Sequence, residues 1–339
     1  MKLDTVAFIA SPSAARDSAA QACDLGFDGW LTAEAGYDPF VACATAADAA
    51  GDDLEVGTAI AVAFGRTPMT VAYAANDLQG LTEGRFLLGL GSQIKPHIER
   101  RYSMPWSDPV ARMREFIAAL RAIWHAWEHD EELDFRGDFY EHTLMTPFFV
   151  GANHGYGPPP IALAGVGPRM TKLCGEAADL FLAHSFTTAD YLRDVSLPRL
   201  REGAAEVGRD PDEIGVALTS FVVTGRTEEE RASVEAAVKA QIGFYGSTPA
   251  YRPVLDHHGW GDLQTELNHL SKQGRWTEMG ALIPDEVLDA LCLVVDEPDD
   301  VGPAFLDRFD GLVTRAGIYP TWSPDPQAIR ALKAALTDR

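Results

Sequence analysis

Pro160-Ile161-Ala162-Leu163-Ala164-Gly165-Val166-Gly167-Pro168-Arg169-Met170 carries a short apolar run into a small-residue turn, and a helical pattern from Thr171 to Ala178 follows at once. The reading is strand, tight turn, helix start. The first N–H groups of a helix have no partner within it, and its positive end favours anions, so such a turn can hold a phosphate. Gly165 and Gly167 let the main chain approach closely with no side chain between. The same string also reads as a plain strand-to-helix turn of an α/β protein, and the rest of the chain has to decide.

Upstream, the first ninety or so residues alternate in the same way. Strands are predicted at Val6 to Ala10, Gly29 to Ala33, Leu54 to Phe64 and Arg85 to Leu90, and helices at Ala14 to Leu25, Pro39 to Ala50 and Pro68 to Leu78. Gly26 and Gly51 stand where helix C-caps belong. Between Leu90 and Ile161 the rhythm breaks. Asp108 as N-cap and Pro109 in the first turn open a long helix. Its apolar stripe is Val110, Met113, Ile117, Leu120, Trp124 and Trp127, at spacings of three and four. A small hairpin follows at Leu133 to Tyr140, then a Gly/Pro-rich loop from Gly151 to Pro160. The alternation resumes at Ile161 to Ala164, Leu180 to His184, Val216 to Val223 and Leu312 to Tyr319.

Eight candidate parallel strands with intervening helices predict an α/β chain folded as a single (β/α)8 TIM barrel domain over residues 1–339, with a large insertion after strand 4 at about 92–160. A second helical excursion near the C-terminus, Tyr251 to Pro284, covers one barrel face. A doubly wound sheet is the competitor, but it has fewer strands and a Gly-rich first turn, and here that turn is Ser11-Pro12-Ser13.

The formal charge of -22 argues against nucleic acid and anionic membranes as partners, because both demand a basic face. No run of eighteen apolar residues predicts a membrane span, and the start shows no signal region, so a cytoplasmic protein is expected. The four cysteines lie far apart with no C-x-x-C, which predicts neither disulfides nor a cysteine metal site. His125-Ala126-Trp127-Glu128-His129 matches H-x-x-E-H, yet it falls near a helix end with no downstream acidic ligand evident, and no metal is expected.

In a barrel, residues just past the C-terminal ends of the strands face the active-site mouth. That rule selects Ser11, Glu34, the Ala59 to Ala63 region, Ser92, Gln93, His184 and Ser185. Glu34 is the leading candidate for proton transfer, and its alternative is an ordinary acidic loop or cap residue. His97 is the second candidate, reaching the mouth from the insertion. His184 reads either as a polar ligand contact or as a capped rim residue. Trp106 either stacks on a planar ring or packs under its loop, and Phe139, Tyr140, Phe148 and Phe149 either wall an apolar pocket or fill the insertion.

Taken in order, several segments resemble the luciferase-like flavin and deazaflavin oxidoreductase superfamily. They are Gly26-Phe27-Asp28-Gly29-Trp30-Leu31-Thr32-Ala33-Glu34, Val56-Gly57-Thr58-Ala59-Ile60, Leu81-Thr82-Glu83-Gly84-Arg85-Phe86-Leu87-Leu88-Gly89-Leu90-Gly91, Ala164 to Pro168 and Gly175 to Asp179. Met104-Pro105-Trp106, Leu144 to Phe149 and Tyr245 to Pro249 resemble its coenzyme F420-dependent oxidoreductase subgroup.

The resemblance implies a (β/α)8 barrel carrying an isoalloxazine-like ring at its C-terminal mouth. A non-proline cis peptide behind that ring would fall at Ala59–Ile60, ring contacts at Ser92 and Gln93, and the phosphate loop at Gly165, Val166 and Gly167. The implied activity is hydride transfer between coenzyme F420 and a small organic substrate. The alternatives are an FMN-dependent monooxygenase using O2 and reduced flavin from a separate reductase, and a non-catalytic flavin-binding barrel. A homodimer is implied as well. The chain departs from several relatives in having Glu34-Ala35 where they have Asp, often followed by His, and Val166 where they have a second consecutive glycine.

Overall fold

In the computed structural model, which describes residues 1–320 and 325–337, eight parallel strands close on themselves. They are β1 (Lys2–Ala7), β2 (Gly29–Thr32), β3 (Glu55–Thr58), β4 (Phe86–Gly91), β5 (Ile161–Gly165), β6 (Leu180–Ala183), β7 (Gly215–Val223) and β8 (Arg315–Ile318). Each pairs with its successor, and β8 returns to β1 through the register Lys2 with Arg315 and Asp4 with Gly317. This is the predicted (β/α)8 TIM barrel.

The helices begin where cap chemistry puts them. Asp38 accepts from the N–H groups of Phe40 and Val41 ahead of Pro39–Ala47, and Asp108 does the same for Val110 and Ala111 ahead of Pro109–His129. On the latter helix the predicted stripe, Val110, Met113, Ile117, Leu120, Trp124 and Trp127, is buried. That helix packs between Pro68–Leu81 and Pro168–Ala177, so within the 92–160 stretch it supplies the outer helix between β4 and β5. The hairpin pairs Phe135–Arg136 with Glu141–His142, a little further along than the pattern placed it.

Two of the departures from the predicted strand bounds have clear physical reasons. β1 starts at Lys2 instead of Val6 because Asp4, 3% exposed, points into the barrel floor and receives two bonds of 2.6 Å from Arg315. A charged pair that satisfies itself internally does not register as an apolar strand. The stretch Leu54 to Phe64 is not one strand. β3 ends at Thr58, a cis peptide joins Ala59 to Ile60, and Ala61–Val62 then pairs with Leu90 and Gly91 of β4.

The barrel interior holds Leu31, Leu87, Ala162, Leu180 and Ala217, with Val6, Ala59 and Leu182 against them. Between β7 and β8, the excursion of short helices from Arg252 to Leu291 builds a core of its own with Phe186, Tyr191 and Phe221, on the C-terminal side of β6 and β7. Among the described residues no helix is long and apolar enough to cross a membrane.

Candidate functional site at the C-terminal mouth

The turn after β5 is built as the sequence predicts. Gly167 is the N-cap of Pro168–Ala177 in extended conformation, and the first bonds of the helix run from the N–H groups of Met170 and Thr171 to the Gly167 carbonyl. The N–H groups of Val166, Gly167 and Arg169 take part in no hydrogen bond among the described residues. A Cβ on Gly165 would lie 3.2 Å from the Thr171 nitrogen, so glycine is what lets strand and helix meet this closely, whereas a Cβ on Gly167 would meet nothing within 4 Å. The turn is an open cradle of N–H groups, and its makeup fits a phosphate. A small void of about 10 Å³ adjoins it, reached by Thr187, Tyr191 and Ser196. The cations of this helix are committed elsewhere: Arg169 donates to Asp108 at 3.1 Å, and Lys172 to Glu202 and Glu206 at 2.9 and 2.6 Å.

Two strands away from β5, the segment 59–62 is held from below by β2 and Glu34. The Ala59 N–H donates to the Thr32 carbonyl at 2.8 Å, and the Glu34 N–H to the Ile60 carbonyl at 3.1 Å. The Glu34 carboxylate then accepts the Val62 N–H at 2.7 Å, Arg66 Nη1 at 2.6 Å and the Tyr102 hydroxyl at 2.6 Å. Burial and this carboxylate push the Tyr102 phenol up to about 12, which keeps it a donor. Arg66 also binds Asp38 at 2.7 Å, and Arg101 donates to the Ala35 carbonyl at 2.9 Å, so the insertion is tied to the mouth beside Glu34. Arg66 and Tyr102 are residues that the sequence reading missed.

The other candidates lie as follows. Ser92 and Gln93 follow β4 half-buried; Gln93 has a φ of 57° and its side-chain oxygen accepts the Ile94 N–H. Ala59 and Ile60 are half-buried as well. His97 is exposed on the short helix Lys95–Arg100, one turn before Tyr102. Trp106 packs edge-on against Phe64 under its loop. Phe148 and Phe149 are exposed on the outer surface, where Tyr73 donates to the Phe149 carbonyl, and not in the mouth. His125 and His129 stack on an exposed helix face, and His125 faces Glu131.

His184, past the end of β6, joins an aromatic wall. Its Nδ1 accepts the Phe186 N–H at 3.0 Å and its Nε2 lies 3.1 Å from the Tyr251 hydroxyl. Burial pulls its pKa down to about 4, so the ring is neutral with its hydrogen on Nε2. Tyr245 packs edge-on to it and bonds through its hydroxyl to Tyr319, the residue after β8. The residues after β5 and β6 come together here with the excursion, while Glu34 and Ser92 stand on other strands of the same rim.

A larger cavity, about 310 Å³, opens at the other end of the barrel between Lys2, Glu55, Arg85, Asp179 and Arg315. Arg315 pairs there with both Asp4 and Glu55 at 2.6 Å and Lys2 with Glu55, while Arg85 donates to the Gly51 carbonyl. Chemistry in this fold sits at the C-terminal face, and the floor serves stability.

The model of the luciferase-like monooxygenase family matches residues 3–315. The chain belongs to that family. A relative from Mycobacterium tuberculosis, itself uncharacterised, is 49% identical over 313 residues, spanning 92% of this chain and 90% of its own. The phthiodiolone/phenolphthiodiolone dimycocerosates ketoreductase of the same organism is 30% identical over 322 residues, spanning 88% and 82%. Among solved structures, the coenzyme F420 dependent tetrahydromethanopterin reductase from Methanopyrus kandleri superposes with a TM-score of 0.79 at 19% identity, over 99% of this chain and 97% of that one. The oxygenating constituent of 3,6-diketocamphane monooxygenase from Pseudomonas putida, in complex with FMN, gives 0.69 at 18% identity, over 100% and 99%. These two share the family's barrel while their named cofactors differ.

Proposed function

We propose that this luciferase-like protein is an F420-dependent oxidoreductase, transferring a hydride between the deazaflavin and a small organic substrate. The observation that carries this reading over the FMN alternative is the uncharged phosphate cradle. Coenzyme F420 presents a phosphodiester with a single negative charge, whereas the phosphomonoester of FMN carries nearly two at neutral pH. Bare N–H groups at Val166, Gly167 and Arg169 suit the former. A dianion calls for a cation, and the two on this helix are engaged by acids.

In this reading Gly165, Val166 and Gly167 hold the phosphate, Ala59 and Ile60 back the ring, and Ser92 and Gln93 line its edge. The deazaflavin supplies the hydride chemistry, and the protein supplies binding, orientation and electrostatics. We assign Glu34 to holding the ring-backing segment in place of shuttling a proton, because three donors already occupy its carboxylate. His97 is the sequence candidate whose ring faces water.

Single-turnover oxidation under nitrogen separates the readings. Reduced F420 on the protein should pass its hydride to an organic acceptor without oxygen. Turnover that requires both reduced FMN and O2 would instead establish the monooxygenase reading.

A further inference from the structure

Across the mouth from the 59–62 segment, the wall above β6, β7 and β8 carries four hydrogen-bonding side chains and no charge. Tyr319 continues the inward-facing set of β8. Arg315 pairs inside the barrel with Asp4, and a Cβ on Gly317 would lie 2.7 Å from Thr219 Cγ2. Two residues further on, Tyr319 therefore faces the axis. β3 and β7 stand opposite each other in the closed ring of eight, and Tyr319 bonds through its N–H to the Ser220 carbonyl of β7 at 2.8 Å. Its ring packs on Phe221 at 4.8 Å and faces Phe8, which is 54% exposed at the end of β1.

The hydroxyls of Tyr319 and Tyr245 lie 2.5 Å apart. In such a pair one phenol donates and the other accepts, so one O–H is always left to point elsewhere. The Gln241 side chain lies one helical turn before Tyr245 on the same helix. In the order in which Tyr245 donates to Tyr319, the Tyr319 hydrogen is left for the mouth. Beside them His184 and Tyr251 form a neutral pair, in which His184 Nε2–H donates to the Tyr251 oxygen. Burial raises the pKa of Tyr245, Tyr251 and Tyr319 alike, so all three keep their protons. None of the hydrogen-bond partners of these four, among the described residues, is charged.

A wall of this kind suits one class of ligand group. A carboxylate or phosphate would seek a cation and an amine a carboxylate, while a neutral oxygen needs only a donor. Phe8, 54% exposed beside Tyr319, would cover an apolar substituent, with Phe186 and Phe221 buried behind the wall. We infer that the Tyr319 hydroxyl, backed by Tyr245, receives the oxygen of a ketone or the secondary alcohol formed from it, with the aromatic wall taking the carbon substituents. This assignment rests on the reading that a hydride-carrying ring occupies the mouth. On reduction, a C–H bond forms at the carbonyl carbon and the π pair moves to oxygen. The Tyr319 O–H would give its proton to that oxygen and take one back through Tyr245 from water, matched overall by the N–H proton that the reduced deazaflavin loses as it is oxidised. The ketone is reduced and the deazaflavin oxidised, and no further reactant is needed.

The test uses Tyr319→Phe and Tyr245→Phe, which keep the ring packing. F420 affinity is measured first by fluorescence, and is expected to be unchanged in both variants. Acetophenone carrying a 13C-carbonyl is then bound to the complex with oxidised F420, and its stretching band recorded by infrared difference spectroscopy. The expected result is a band lowered from its solution frequency in the wild type and returned to that frequency in Tyr319→Phe. With reduced F420, kcat/KM should fall about tenfold, the scale of one lost hydrogen bond. An equal band in wild type and Tyr319→Phe, or no bound acetophenone in the wild type, would overturn the assignment while leaving the cofactor reading intact. Failure of the wild type to bind F420 would overturn both.

Discussion

Glu34 and Arg66 meet at 2.6 Å in a place where the glutamate side chain keeps 6% of its surface and the arginine 17%. The same carboxylate holds the Val62 N–H, and the Glu34 main chain holds the Ile60 carbonyl. One residue thus clasps the segment containing the cis peptide from both sides, and Arg66 and Tyr102 fix the clasp.

Arg66→Met should therefore leave a buried carboxylate short of its cation, and should destabilise the fold by about 3 kcal/mol in urea unfolding. It should also weaken F420 binding. Glu34→Gln keeps the shape and loses the ion pair, so affinity and turnover should fall together. A turnover loss with unchanged affinity would return Glu34 to a proton-transfer role.

Gly167→Asp separates a phosphate cradle from a plain strand-to-helix turn. Its φ of -80° suits any residue, there is room for a Cβ, and aspartate is a favoured N-cap, so thermal stability should hold or rise slightly. The new carboxylate would take the N–H groups and repel an anion, so F420 affinity should drop by about tenfold or more, one interaction of about 1.4 kcal/mol. Equal affinity would remove the phosphate from this turn.

His184 predicts a pH effect. Its pKa falls from 6.5 when unfolded to about 4 when folded. Between these values the unfolded chain binds the extra proton, so the contribution is fully present above about 6.5 and is lost as pH falls towards about 4, by about 3 kcal/mol in all. His184→Asn, whose side-chain oxygen can take the Phe186 N–H, should show a shallower decline of unfolding free energy across that window. Parallel curves would place the titration elsewhere.

At the barrel floor, Arg315→Met should cost about 3–5 kcal/mol, because it strands Asp4 in the interior. The double variant Asp4→Leu/Arg315→Met should recover much of that loss in thermal unfolding. A double variant no better than the single one would mean that the pair itself, and not the unpaired acid, carries the stability.

What could be read from the residues follows from which signals are local. The turn Gly165 to Pro168 and the capped helices at Pro39, Pro68 and Pro109 announce themselves within a few positions, and the structure has them there. The placement of the cis peptide at Ala59–Ile60 came through family resemblance, since no local pattern marks it. β1 begins ahead of its apolar run because Asp4 finds its partner 311 residues away. Arg66 and Tyr102 reach Glu34 across separations of 32 and 68 residues, which no spacing encodes. Tyr319 was legible in principle. The rule that picks His184 past the end of its strand picks Tyr319 past the eighth, whereas Tyr245 and Tyr251 arrive from a helix end and an excursion.

An uncharged cradle at Val166 and Gly167 should select the singly charged phosphodiester of coenzyme F420 over the phosphomonoester of FMN. Parallel fluorescence titrations of the purified protein with F420 and with FMN, at one pH and ionic strength, test it most directly. Saturable, tighter binding of F420 is expected. Tighter binding of FMN, or binding of neither, would contradict it.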